Sequence, residues 1–148
     1  MILNSIYAFI ATLTFGILFN IRGKKLFLAS LGGGLGWFVY LLSSSINHSS
    51  VLSLFIASLV ASLFSEVMAR AMKTPVTTFV ICAIIPLVPG GGMYNTMLAS
   101  IRGNINTSLN TGLETLTSAG AIAVGIVLVS STSKFITLIR VNKKPSRK

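Results

Sequence analysis

Very few residues in this chain are able to do chemistry. Its 148 residues include two carboxylates, Glu66 and Glu114, one histidine, His48, and one cysteine, Cys82. A single cysteine forms neither an intrachain disulfide nor the thiolate cluster of a zinc site. Two acids and one histidine leave very little for metal or acid/base chemistry, and no nucleophile–base pair can be assembled from them. No metal, no cofactor and no enzymatic activity are expected.

Four groups of residues remain as candidates. Glu66 lies in Ser65-Glu66-Val67-Met68-Ala69-Arg70, close to the end of a long apolar run. A carboxylate inside a membrane span costs roughly 2.5–3.5 kcal/mol near the centre and less towards the end. Two readings fit it. It pairs with Arg70 one helical turn on, or it is a protonatable or amine-binding group facing a cavity. Second is Ile85-Pro86-Leu87-Val88-Pro89-Gly90-Gly91-Gly92. Pro86 and Pro89 each remove a backbone donor and crowd the preceding turn, and Gly90, Gly91 and Gly92 permit positive φ. Such a run either ends a helix or breaks one at membrane depth, where freed backbone groups can line a substrate path. Tyr94, just beyond, suits an interfacial anchor. Third, Arg102 and Glu114 flank an Asn-rich stretch and are candidates for an outer vestibule. Glu114 would also suit the dipole at a helix start. Fourth, Gly32 and Gly36, Ala57 and Ala61, and Ala121 and Gly125 are small residues four apart, which let helices pack closely. His48 reads as a loop histidine and Cys82 as a packing residue.

The elements that must position these residues follow from composition. Hydrophobic residues make up 53% of the chain and charged residues only 9%, with a mean hydropathy of +0.85. So apolar a surface would aggregate in water, which argues against a soluble enzyme, and a disordered chain would be poor in apolar residues. Uncharged runs cover 1–21, 26–65, 74–101 and 115–133. One span takes roughly 20 residues, so the second run holds two, divided at the polar cluster 43–50. The reading is an all-α integral membrane protein of five transmembrane helices, at about 2–20, 26–42, 51–69, 75–92 and 112–133. The fourth is broken at the Pro-Leu-Val-Pro-Gly-Gly-Gly run. Residues 1–133 form the membrane domain, 93–111 an interfacial or vestibule segment, and 134–148 a basic cytoplasmic tail.

The formal net charge of +10 might suggest nucleic acid, but no nucleic-acid motif accompanies it. Basic residues instead fall after the first span (Arg22, Lys24, Lys25), between the third and fourth (Arg70, Lys73) and after the fifth (Lys134, Arg140, Lys143, Lys144, Arg147, Lys148). The positive-inside rule puts these segments in the cytoplasm and the N-terminus outside. Only Arg102 then lies outside, and the fourth segment must cross rather than re-enter. The N-terminus lacks the charged start of a signal peptide.

Three blocks resemble a known family. They are Ser65-Glu66-Val67-Met68-Ala69-Arg70-Ala71-Met72-Lys73-Thr74-Pro75, then Ile85-Pro86-Leu87-Val88-Pro89-Gly90-Gly91-Gly92-Met93-Tyr94, and Ala119-Gly120-Ala121-Ile122-Ala123-Val124-Gly125. The chain is similar to the short, five-span subunit of the two-component threonine/serine exporters. It departs from the family at Ala71, where members commonly carry a second basic residue, and at Cys82, where they often have proline. The second departure suggests a less broken fourth helix.

The resemblance implies a bacterial inner-membrane secondary transporter that exports small hydrophilic metabolites, driven by the proton gradient. It implies a larger membrane subunit as partner, with a homo-oligomer as the fallback. It also raises Glu66 and the Pro86–Gly92 break as functional features. The alternatives are a dicarboxylate (succinate-like) exporter subunit and an accessory or scaffold subunit without substrate contacts. Transport is favoured if Glu66 and the break share a polar cavity, and the scaffold role if they face lipid or a dry helix seam.

Overall fold

A computed structural model describes the backbone of residues 1–142 and the side-chain surroundings of residues 1–135. Every described element is helical. They are α1 (Ile2–Leu18), α2 (Lys24–Asn47), α3 (Ser50–Ala71), α4 (Val76–Ile84) with a 3-10 turn (Ile85–Leu87), α5 (Gly90–Ile101) and α6 (Ile105–Asn142). Helices follow the uncharged runs because a chain in hydrocarbon must satisfy its backbone polar groups internally. Hydroxyls obey the same constraint. Thr12, Ser53 and Ser65 donate to the carbonyls of Ala8, Ser49 and Ala61, four residues back, at 2.7–2.8 Å.

Three helices end alike. Asn20, Lys73 and Gly103 take left-handed φ values of 58°, 50° and 74°. The following N–H groups, of Ile21, Thr74 and Asn104, donate back to Gly16, Ala69 and Ala99, each at 3.0 Å. This is the Schellman turn, which satisfies helix-end carbonyls. At the start of α3, the Ser49 hydroxyl accepts from the Leu52 N–H at 3.5 Å.

The helices α2, α3 and Ile105–Phe135 of α6 are long and apolar enough to cross a membrane. The α4 and α5 pair passes the same test together, bent by 53°. With 17 residues, α1 is a shorter apolar helix. Small residues fill the interior: Ala29, Ala57, Ala61, Ala69 and Ala83 are buried with Ser30, Ser58, Ser62 and Ser65, while Ile2, Leu18, Leu63 and Val67 are exposed. That is the membrane arrangement, in which close backbone approach holds helices together. A Cβ at Gly36 would stand 3.3 Å from that of Ala61, and one at Gly32 would stand 3.1 Å from Phe64. At Gly125 it would collide with the Ser58 side chain, and it would lie 3.3 Å from the Phe55 carbonyl. Ala57 lies in the same core cluster as Ala61 and Ile122, and Ala121 is half-buried on α6.

Register along α6 decides the direction of the bent pair. Ser58 of α3 faces Gly125 and Glu66 faces Ser133, so α6 runs parallel to α3. Phe79 at the start of α4 packs with Ala69, and Leu87 at its far end packs with Leu54, Ala57 and Ala61, so α4 runs antiparallel. The bent pair therefore carries the chain across the bundle. Ile21 packs in one cluster with Met72 and Val76, and Lys73 and Lys134 line one cavity, so the α1–α2 and α3–α4 turns and the far part of α6 share one end of the bundle, with Arg22, Lys24, Lys25 and Arg70, while Arg102 lies in the α5–α6 turn. Lys143, Lys144, Arg147 and Lys148 lie outside the described residues.

The stretch 93–111 is largely helical: α5 occupies it to Ile101, and α6 has begun at Ile105. Hydroxyls zip the two helices together. Thr96 donates to Thr111 at 3.2 Å, the Ser100 and Ser108 hydroxyls are 2.6 Å apart, and Ser108 donates to the Thr96 carbonyl at 3.1 Å. Gly92 allows Thr115 to close on the same seam. Past 134, α6 continues to Asn142.

Candidate functional site

Glu66 sits one turn before the end of α3, with its carboxylate turned towards α6. It is 8% exposed. The Ser133 hydroxyl donates to Glu66 Oε2 at 2.5 Å. Arg70 Nη2 donates to the same hydroxyl oxygen at 2.6 Å and to the Ser133 carbonyl at 3.1 Å. Arg70 Nε stands 3.7 Å from Glu66 Oε2. The expected i,i+4 pair is therefore present, but Ser133 is its closer link. A chain of donors runs from guanidinium through hydroxyl to carboxylate, and it ties α3 to α6.

Two open cavities flank this cluster. One, about 340 Å³, is apolar, with Leu59, Leu63, Leu128 and Val129 beside Glu66. The other, about 790 Å³, lies between the end of α3, the start of α4 and α6. Arg70, Lys73, Thr74, Thr77, Ser130 and Lys134 line it with Glu66. Glu66 thus stands between an apolar cleft and a mixed one, whose cations and hydroxyls sit among Ala69, Val76, Val80 and Ile126. A proton or a cationic group held there would meet one acid and several cations.

The break is built as its residues dictate. Pro86 falls inside the 3-10 turn, Val88 is extended (φ −60°, ψ 128°), and Pro89 stands at the head of α5. Gly90, Gly91 and Gly92 form the first turn of α5, and the positive-φ glycines are Gly23 and Gly103 instead. Their use here is lack of bulk: nothing lies within 4 Å of a Cβ at Gly90 or Gly91, whereas Gly92 abuts Thr115. By helix geometry the first amides of α5 have no intrahelical acceptor.

Glu66 and the break do not meet. Pro86 lines a separate small cleft with Asn4, Tyr7, Ala8, Ala11 and Trp37, from α1 and α2. Leu87 packs beside Leu54 and Ala61, roughly 7–18 Å along α3 from Glu66 at 1.5 Å per residue. Tyr94 and Arg102 are exposed on and beyond α5, and Glu114 is exposed on α6. No hydrogen bond or ion pair joins Arg102 to Glu114 among the described residues. No group of three or more His, Cys, Asp or Glu side chains in that range could hold a metal ion.

Sequence reasoning missed Ser133, Thr74, Thr77 and Ser130. Ser133 closes the run Ser130-Ser131-Thr132-Ser133 at the end of an apolar stretch. Nothing local distinguishes it from its neighbours, and only the α3–α6 register selects it. Lys73 and Lys134 were read only as topogenic charge.

A small-residue helical bundle with several helices long and apolar enough to cross a membrane and a bent helix pair is that of a multi-pass membrane protein. Residues 4–132 match the family model described as "Threonine/Serine exporter, ThrE". The chain belongs to this family, which is one of membrane transporters and not of enzymes. No curated protein and no solved structure matches the chain.

Proposed function

We propose that the chain is the short subunit of a secondary exporter of threonine- and serine-like amino acids, coupled to protons and working with a larger membrane subunit. The observation that carries this is Glu66: a carboxylate 8% exposed, bridged through Ser133 to Arg70, on the wall of a cavity of about 790 Å³. An intramembrane acid facing a cavity is the ordinary site of proton or substrate coupling. When Glu66 is charged, Ser133 donates to it. Protonation makes this a neutral and weaker bond. It thereby loosens a link that ties α3 to α6.

The partner is supported by what the chain leaves open. Gly90 and Gly91 present bare backbone at the break, and α5 packs chiefly on α6. Transporter sites of this kind form between two related halves. The common end of Arg22, Lys24, Lys25, Arg70, Lys73 and Lys134 supports a cytoplasmic assignment for it in a bacterial inner membrane, with the N-terminus outside and the C-terminus inside. The five spans and the basic tail from 134 belong to this same reading.

One observation favours a second reading, an accessory subunit without substrate contacts: Glu66 and the break open on different clefts. Export of labelled threonine, serine and succinate from cells carrying both subunits, one or neither decides between them. The exporter reading expects loss of export in Glu66→Gln at unchanged membrane abundance. The accessory reading expects export to persist in that variant.

A further inference from the structure

We infer that the cavity between the α3–α4 turn and α6 is a carboxylate-binding mouth, in which Lys73 and Lys134 hold a small carboxylate anion and the first amides of α4 donate to it. The inference rests on the exporter reading and deepens it, by naming the substrate group that enters first and the residues that take it.

Charge is the first argument. The cavity wall carries three cations, Arg70, Lys73 and Lys134, against one carboxylate, Glu66. That carboxylate is already engaged by the Ser133 hydroxyl and by Arg70. An anion entering the cavity meets net positive charge, whereas an ammonium group would compete with a guanidinium for Glu66.

Unmet donors are the second argument. At the cavity wall α4 begins at Pro75, which gives no side-chain cap. The amides of Val76 and Thr77, whose residues line the same cavity, have no intrahelical acceptor. A helix start with uncapped amides favours an anion.

Backbone conformation is the third. Lys73 holds a left-handed φ of 50° at the closing position of the α3 turn, where glycine is the ordinary and less strained choice. A residue in a costly conformation at a cavity wall points to a role for its side chain. The cavity of about 790 Å³ is of the size that small-molecule sites occupy.

The test uses the full chain, with any subunit that co-purifies, in nanodiscs of neutral phosphatidylcholine. Binding of labelled L-threonine and labelled succinate is measured directly, with L-threonine methyl ester and dimethyl succinate as competitors. We expect the free acids to bind and the esters not to compete. The double variant Lys73→Gly, Lys134→Gln should weaken binding on the order of tenfold or more, as loss of hydrogen bonds to a charged group requires. Lys73→Arg, Lys134→Arg should largely preserve it. Lys73→Gly suits the left-handed turn, so a folded, thermally stable double variant is expected as the control. Absence of binding by either acid, unchanged binding in the charge-removing variant, or equal competition by the esters would overturn the proposal. So would protection of Lys73 from an amine reagent by phosphatidylglycerol but not by the free acids, which would make the mouth a lipid-phosphate site. Export that persists in the double variant sinks the mouth and leaves the exporter standing. Intact binding without export in any subunit combination does the reverse.

Discussion

Ser133 should couple to Glu66 more strongly than Arg70 does, although Arg70 is the charged partner and lies on the same helix. Removing the Ser133 hydroxyl by Ser133→Ala takes a 2.5 Å donor from a carboxylate that is 8% exposed. A hydrogen bond to a charged group contributes about 1.5–3 kcal/mol. The Arg70 guanidinium stands 3.7 Å from the same oxygen, on a side chain that is 45% exposed. Solvent screens such a pair to about 0.2–1 kcal/mol. In a Glu66→Gln background the serine still meets an amide oxygen, but a neutral bond contributes only about 0.5–1.5 kcal/mol. The Glu66/Ser133 coupling should therefore be about 1–2 kcal/mol and the Glu66/Arg70 coupling below about 1 kcal/mol. Arg70 also donates to the Ser133 hydroxyl and carbonyl, so Ser133→Ala and Arg70→Gln should be non-additive. The assay is a pair of double-mutant cycles on reversible unfolding in mixed micelles, with export rate at matched abundance as the second readout. A Glu66/Arg70 coupling larger than the Glu66/Ser133 coupling would refute the reasoning. Rescue of export in Glu66→Gln by Arg70→Gln would show that pairing, not ionisation, was what mattered.

Gly125→Val should destabilise the α3–α6 seam by about 1–3 kcal/mol, because Ser58 and the Phe55 carbonyl occupy the space, while Gly120→Val, with nothing within 4 Å, should be close to neutral; equal effects in a thermal scan would count against the register. Gly103→Ala should cost about 1–2 kcal/mol for its left-handed φ of 74°, whereas Gly90→Ala, in a helical turn facing open space, should be tolerated in the same scan. The Pro86→Ala, Pro89→Ala variant should straighten the bent pair, keeping membrane insertion but lowering export; full export would return the run to a simple connection between helices. In a Cys82→Ser background, Asn47→Cys and Asn104→Cys should react with an impermeant thiol reagent in intact cells, and Lys24→Cys only after permeabilisation. The reverse pattern would invert the proposed orientation.

What the sequence determined by itself is what local chemistry controls. Uncharged runs had to be helical because hydrocarbon offers no partner for a free amide. Pro86 and Pro89 had to break the fourth helix because proline brings no N–H and crowds the turn before it. Glu66 and Arg70 had to be neighbours because four residues make about one turn. The tertiary structure decided everything that depends on register between distant segments. Ser133 is 67 residues from Glu66, and it faces the carboxylate only because Gly125 lets α6 settle against Ser58. The same register brings Lys134 to the cavity wall that Lys73 and Thr74 also line. The stretch 93–111 became helix because hydroxyls on α5 found hydroxyls on α6, a pairing that no window of either segment contains. Glycine identity likewise left its use undetermined: Gly90, Gly91 and Gly92 are helical, while left-handed backbone fell to Lys73 at the end of α3. Proline and apolar length act on the backbone that carries them. Bulk and hydroxyls act on whatever packing brings alongside, and that is not written in the sequence around them.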